Sequence, residues 1–254
     1  MKISIITVCY NSAETIAATL RSVREQTYAD IEHIVVDGGS SDATLKVLAS
    51  EGTHVVKIIS ETDHGIYHAM NKGLAVITGE VVGFLNSDDV LSHPTVIEKI
   101  VAIMSNRAVD ACHGDLVYVA QHDTDKLVRY WRSSAYRPGL FERGWVPAHP
   151  SFYARAALYR KHGGFDLEFR LAADFDMLLR LLEIHQISSV YIPEVLVKMR
   201  LGGATNGKLL NVFKQNVEIA QAFRKYGLRV GLRPFAFKLM LRLSQFFHKP
   251  SLQS

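Results

Sequence analysis

Apolar residues fall into two rhythms along the first 105 positions. Short unbroken runs at 3–8, 34–36, 55–59 and 81–85 have the length and β-branched content of buried strands. Between them apolar residues recur at helical spacing. Ile16, Leu20 and Val23 mark one helix, a shorter one covers 43–49, and a third runs from about 66 to 77. Asn11, with Glu14 three residues on, predicts a loose capping box for the first helix. Each strand run stops at a polar residue: Asn11, Asp37, Asp63 and Asp88. Strand and helix in alternation predict an α/β fold built on a mostly parallel, doubly wound sheet. In such a sheet the four polar ends share the carboxyl edge, where open α/β sheets bind ligands.

After residue 110 the rhythm loosens. Residues 111–120 and 126–131 predict a hairpin, 155–162 a short helix and 190–197 a strand. Ala173-Asp174-Phe175-Asp176 opens an amphipathic helix with Met177, Leu178, Leu181 and Leu182 inward, and 198–207 reads as a glycine-rich basic loop. A helical extension follows, with helices at 209–226 and 234–247. The domain reading is therefore a body at 1–208, with halves 1–105 and 106–208, and a basic amphipathic tail at 209–254.

Composition sharpens this picture in three ways. At 48% hydrophobic, 254 residues can bury a substantial core, and Cys9 and Cys112 lie in apolar runs as reduced thiols expected of a cytoplasmic protein. Met1-Lys2 leads straight into a strand, so no secretory leader is expected, and no apolar run has the length of a membrane span. The net charge of +4 hides an asymmetry: residues 1–218 hold 22 basic against 25 acidic residues, a net of −3, whereas seven basic and no acidic residues follow Glu218. A basic tail interleaved with Phe and Leu predicts an amphipathic surface for an anionic membrane through 228–249, or for a partner subunit, and not a nucleic-acid binder.

The chemistry concentrates at Phe84-Leu85-Asn86-Ser87-Asp88-Asp89, where a buried run ends in two adjacent carboxylates. Paired acids repel unless a cation lies between them, which suits a Mg²⁺ or Mn²⁺ that also holds a diphosphate. The plainer reading makes one Asp a helix cap and leaves the other solvated. No GxGxxG and no GxxxxGK[ST] occurs, so neither a dinucleotide fingerprint nor a P-loop is present.

Six motifs occur in order: the run from Ile3 to Asn11, Val35-Val36-Asp37-Gly38-Gly39-Ser40-Ser41-Asp42, Glu61-Thr62-Asp63-His64-Gly65-Ile66-Tyr67-His68-Ala69-Met70-Asn71-Lys72-Gly73, the Asn86-Ser87-Asp88-Asp89 turn, Gly163-Gly164-Phe165-Asp166, and Ala172-Ala173-Asp174-Phe175-Asp176. Over roughly 3–205 the chain resembles family 2 glycosyltransferases of the GT-A fold, especially bacterial enzymes that assemble O-antigen and exopolysaccharide repeat units. The resemblance implies a metal-dependent inverting transferase. Its donor would be a nucleotide-diphosphate sugar, UDP ahead of GDP or dTDP, and its acceptor a glycan, in such pathways usually carried on a polyprenyl diphosphate in the cytoplasmic leaflet. The protein would then be cytoplasmic and peripheral to the inner face of the membrane.

By the same resemblance, Asp174 matches the catalytic base, although Ala173 stands where the family usually has Glu. Asp37 and Asp63 match base and ribose contacts, and Asn86-Ser87-Asp88 matches the DxD position with Asn86 in place of the first Asp. The donor set is Thr7, Tyr10, Asn11, Asp37, Asp63, Asn71, Lys72, Asn86 and Asp88. The metal set is Asp88 and Asp89, with His149 as an optional third ligand. Arg200, His149 and Asp176 are diphosphate or acceptor candidates. Against these stand structural readings: turn residues for Asp37 and Asp63, a dipole-favoured acid for Asp174, a loop histidine for His149, a solvated Arg200, and a helix end for Asn71-Lys72. Trp131, Trp145 and Tyr153 could stack on sugar, with packing preferred. The loops at 133–150 and 198–207 are expected to select sugar and acceptor. Two other classes remain open: a sugar-phosphate nucleotidyltransferase, against which the lack of a basic glycine-rich N-terminal signature speaks, and an inactive nucleotide- or sugar-binding module.

Overall fold

The computed structural model describes residues 1–202 and 209–228. Strands β1 (Ile3–Cys9), β2 (Ile31–Asp37), β3 (Val55–Ser60) and β4 (Val81–Phe84) are all parallel, in the order β3-β2-β1-β4. Alternation along β1 sends Ile6 and Val8 to one core layer and Ile3 and Ile5 to the other, so the sheet is covered on both faces. Helix α1 (Ile16–Arg24) buries Ile16 and Leu20 against Leu48 of α2 (Thr44–Glu51). Helix α3 (Ile66–Leu74) follows β3. As the edge strand, β3 leaves Val56 and Ile58 exposed.

The second half makes the sheet mixed. Strand β5 (Val90–Leu91) and helix α4 (Val96–Met104) precede a hairpin of β6 (Ala111–Ala120) and β7 (Asp123–Trp131). Strand β8 (Tyr153–Arg155) inserts antiparallel between β4 and β6, and helices α5 (Ala156–His162) and α6 (Ala173–Leu179) follow it. Strand β9 (Ser189–Arg200) lies parallel to β6 and antiparallel to β5. The β4–β8 seam needs Gly83, because a Cβ there would come within 2.2 Å of the Tyr153 ring. Tyr153 is fully buried, so its role is packing and not sugar stacking. Trp145 lies in an aromatic group with Tyr136 and Phe141, and Trp131 stacks on Tyr118.

Several boundaries differ from the sequence reading. The first helix starts at Ile16, and Asn11 is not its cap: it has φ 48°, a left-handed conformation that Asn tolerates. Strand β9 continues through Lys198, Met199 and Arg200, which the basic composition had suggested were loop; pairing to β6 carries them into the sheet. Strands β5 and β8 are too short to carry a periodic signal. Helix α7 (Leu209–Lys225) buries Ile219, Ala222 and Phe223 in the same core layer as β1 and α6. Each large side chain so buried contributes about 1.5–3 kcal/mol, so α7 is part of the body. The expected helix at 234–247 and the proposed membrane segment fall largely or wholly outside the described residues. Among the described residues, no helix is long and apolar enough to cross a membrane. Cys9 and Cys112 are buried and unpaired, and burial pushes the Cys112 thiol up to about 12.

Candidate active site

The carboxyl ends of the parallel strands are tied into one cluster of loops. Asn11 Oδ1 accepts the Ser41 amide at 2.9 Å, and the Asn11 amide donates to Ser40 Oγ at 2.8 Å. The Ser12 hydroxyl meets that of Ser87 at 2.8 Å, which joins the β1 loop to the Asn86–Asp89 turn. The Asp63 carboxylate accepts the Gly65 amide at 2.8 Å and lies against Gly38, where a Cβ would come within 2.5 Å of its Oδ2. Gly38 therefore lets the second loop approach the third. Tyr10 stands 64% exposed beside this cluster.

Asp37 is fully buried. It accepts the Ser60 hydroxyl at 2.7 Å, the Ser40 hydroxyl at 2.5 Å, and the amides of Ser40 and Gly39. Burial acts to raise its pKa, but these four donors outweigh burial and hold the carboxyl below its usual range. Its side chain shapes the loop from inside, and the exposed surface there belongs to Gly39, Ser41 and Asp42.

At the end of β4 the two acids differ. Asp89 is fully buried, with Oδ2 accepting the Asn86 amide at 3.2 Å; Asp88 is half-buried. Burial raises Asp88, and the Arg200 charge offsets this only in part. Asp89 is pushed well above the carboxylate range by burial and then by the Asp88 charge, against the Asn86 amide and the backbone and charge of Arg200. Arg200, at the end of β9, is 9% exposed, donates from Nη1 to the Gln121 carbonyl at 3.0 Å and leaves Nε without a partner. Asn86 Oδ1 and Asp89 Oδ1 are buried acceptors that no donor satisfies. Unsatisfied hard oxygens beside a second carboxylate fit a divalent cation.

The second acidic centre is at the start of α6. Tyr67 of α3 donates its phenol proton to Asp174 Oδ1 at 2.9 Å. His149, in a short turn at 149–151, stacks on Phe84 at 5.4 Å and lies edge-on to Phe165. Burial lowers its pKa, and the Asp174 charge opposes this, so the ring is neutral at pH 7. Phe84 ends β4, so His149 connects the neighbourhood of Asp174 to the strand that leads into the Asn86–Asp89 turn.

Other candidates stand elsewhere. Thr7 is fully buried, and its hydroxyl bonds His33 Nε2 at 2.9 Å, below the loop edge and out of reach of a ligand. Asn71 clamps Phe165, giving Nδ2 to its carbonyl and taking its amide on Oδ1, both at 2.8 Å. Lys72 holds the Thr62 carbonyl at 3.0 Å and Glu61 at 2.9 Å. Asp176 is fully buried against α7, accepting the Tyr226 hydroxyl at 3.0 Å with Lys225 at 3.6 Å. No group of three or more His, Cys, Asp or Glu arranged to hold a metal exists among the described residues. His149 is packed between Phe84 and Phe165, and its buried Nε2 has no hydrogen-bond partner among the described residues.

Two residues were missed by the sequence reading. Tyr67 sat inside a quoted motif, one residue after the start of α3, and its partner is 107 positions away. Glu218 of α7 accepts the amides of Leu171 and Ala172 at 2.7 and 2.9 Å, acting as a cap from another element for a helix whose own Ala172 cannot cap it. The missing cap in the sequence was the one available signal.

Comparisons with known proteins bear on the family and the fold. Residues 4–164 match the model for Glycosyl transferase family 2. An uncharacterized glycosyltransferase of Mycobacterium tuberculosis (strain CDC 1551 / Oshkosh) is 35% identical over 184 residues, 70% of this chain and 68% of that protein. A PGL/p-HBAD biosynthesis glycosyltransferase of Mycobacterium bovis (strain BCG / Pasteur 1173P2) is 29% identical over 215 residues, 80% and 78% of the two chains. Among solved structures, S. aureus TarS 1-349 in complex with UDP matches with TM-score 0.65 at 18% identity, over 95% of this chain and 70% of that one. The mannosyltransferase PcManGT from Pyrobaculum calidifontis, in complex with GDP-Man and Mn²⁺, matches with TM-score 0.65 at 19% identity, over 94% and 68%. With loops converging at one sheet edge and an acidic turn at the end of β4, the chain has the GT-A fold and belongs to glycosyl transferase family 2.

Proposed function

We propose that this glycosyltransferase moves a sugar, with inversion, from a nucleoside diphosphate to a hydroxyl of a lipid-linked glycan in the synthesis of a bacterial surface polysaccharide. One observation carries the reading: helix α3 begins directly after the Asp63–Gly65 donor-side loop, and its second residue, Tyr67, holds Asp174. Donor loops and a carboxylate suited to be a base are thus two ends of one short element. The nucleoside lies against Tyr10, Asn11 and Asp63, over the loop that Asp37 shapes. Asp88, with the unsatisfied buried oxygens of Asn86 and Asp89, would hold Mg²⁺ or Mn²⁺. When bound, this cation neutralises the charge that develops on the departing diphosphate. Arg200 adds a fixed positive charge beside the same turn.

Asp174 takes the proton of the acceptor hydroxyl as its oxygen bonds the anomeric carbon. The bond from that carbon to the diphosphate breaks, and its electron pair leaves with the nucleoside diphosphate. One displacement inverts the centre, so no enzyme nucleophile is needed. UDP leads the donor candidates because TarS was crystallised with UDP; GDP remains an alternative because PcManGT was crystallised with GDP-Man. A peripheral position on the inner membrane face is supported by Leu210, Phe213 and Val217, which are exposed on α7 at helical spacing ahead of the basic tail.

The test begins with a thermal-shift screen of UDP-, GDP- and dTDP-sugars with Mn²⁺. Asp174→Asn should keep the resulting donor shift and lose about 10²–10⁴-fold in turnover, the range for a lost general base. Wild-type turnover in Asp174→Asn, or full activity in EDTA, would refute the assignment.

A further inference from the structure

We propose that Tyr67 is the positioning residue for the Asp174 carboxylate, fixing one oxygen so that the other faces the acceptor hydroxyl. The inference rests on the reading of Asp174 as the base. The phenol donates to Oδ1 at 2.9 Å, and among the described residues no donor is bonded to Oδ2. A carboxylate held at one oxygen keeps a single orientation and still has a free lone pair for a proton.

The phenol is itself held. Its ring stacks on Phe165 at 5.5 Å with an interplanar angle of 24°. Phe165 is pinned through both backbone polar groups by Asn71, one turn further along α3. Tyr67 and Asn71 thus lie on the same face of one helix. The phenol also stays protonated: burial, then the Asp174 charge, push it well above its usual range, so it remains a donor whichever state Asp174 is in. The remaining carboxylates nearby are engaged elsewhere, with Glu218 on the Leu171 and Ala172 amides and Asp176 on Tyr226.

Tyr67 acts through Asp174 and touches neither donor nor acceptor. In the reaction it breaks and forms no covalent bond. Its contribution is geometric, and misplacing a reacting group by about 1 Å can cost on the order of 100-fold.

The experiment uses the full chain and Mn²⁺-dependent hydrolysis of the nucleotide sugar selected by the thermal-shift screen, with water as acceptor. Tyr67→Phe keeps the ring on Phe165 and removes only the hydroxyl. Turnover should fall about 10- to 100-fold, while the donor dissociation constant, measured by calorimetry with Mn²⁺ and UDP, stays within about twofold. In an Asp174→Asn background the same substitution should have almost no further effect, because the group it positions is gone. If Asp174→Asn keeps wild-type turnover, the base reading fails and the proposal with it. If Asp174→Asn is impaired but Tyr67→Phe turns over at the wild-type rate, the proposal alone fails. Multiplicative losses in the double variant, or loss of donor affinity in Tyr67→Phe, would make Tyr67 a structural residue and overturn it.

Discussion

Asp88→Asn should stabilise the metal-free protein at alkaline pH and weaken it, relative to wild type, once cation and nucleotide are added. Both carboxyls of the Asp88–Asp89 pair lie above their usual range in the folded state. In the unfolded chain they ionise near pH 4. Between those points the folded protein holds more protons than the unfolded one, so this contribution to stability falls as pH rises through the folded values. At an effective dielectric near 20, neighbouring like charges repel by on the order of a few kcal/mol. Water reaching half-buried Asp88 screens this to about 1–2 kcal/mol. For a chain of this size, that is roughly 2–8 °C in melting temperature. Differential scanning calorimetry in EDTA should therefore place Asp88→Asn above wild type at pH 8, with the gap closing toward pH 5. With Mn²⁺ and UDP at about 100 times their dissociation constant, wild type gains about 2.7 kcal/mol, and the variant gains little. A gap that does not change between pH 5 and 8, or equal stabilisation of both proteins by Mn²⁺ and UDP, would refute the idea of a strained acidic pair relieved by a cation.

Glu218→Ala strips the acceptor from the Leu171 and Ala172 amides; the expected loss is about 2–4 kcal/mol by thermal denaturation, with Glu218→Gln costing less because one oxygen remains to take both bonds. Deleting 229–254 should release the protein from anionic vesicles in co-sedimentation while the Mn²⁺ and UDP thermal shift persists, and salt should weaken the full-length attachment without reversing it. Deleting 209–254 should abolish cooperative unfolding, because Ile219, Ala222 and Phe223 leave the core with it.

The strand ends were legible because an apolar run that stops at a polar residue says where a strand leaves the core. The paired acids were legible because two adjacent carboxylates need an explanation. Which oxygens are free was not, since it depends on partners far along the chain: Ser60 reaches back to Asp37, and Asn71 to Phe165. Thr7 looked like an edge residue, yet His33 on the neighbouring strand claims it. Asp174 and Asp176 could have been told apart in principle. Two residues apart on a helix are about 200° apart in direction, so one meets α3 and the other α7. The sheet's second half defeated pattern reading because β5 and β8 are two and three residues long.

The clasp that α3 makes on the second half, through Tyr67 to Asp174 and Asn71 to Phe165, bears on how such enzymes can be recombined. Chimeras between family members would exchange everything after about residue 105. Here the graft point near residue 105 looks clean in sequence, but the transplanted piece must meet a helix it did not come with. It must present a main-chain amide and carbonyl to Asn71 and, nine residues later, a carboxylate to Tyr67. One inserted or deleted residue between Phe165 and Asp174 would keep every motif and still put the carboxylate out of register with the phenol. Successful exchanges are therefore expected to carry α3 together with the second half of the chain, or to leave the 165–174 spacing untouched.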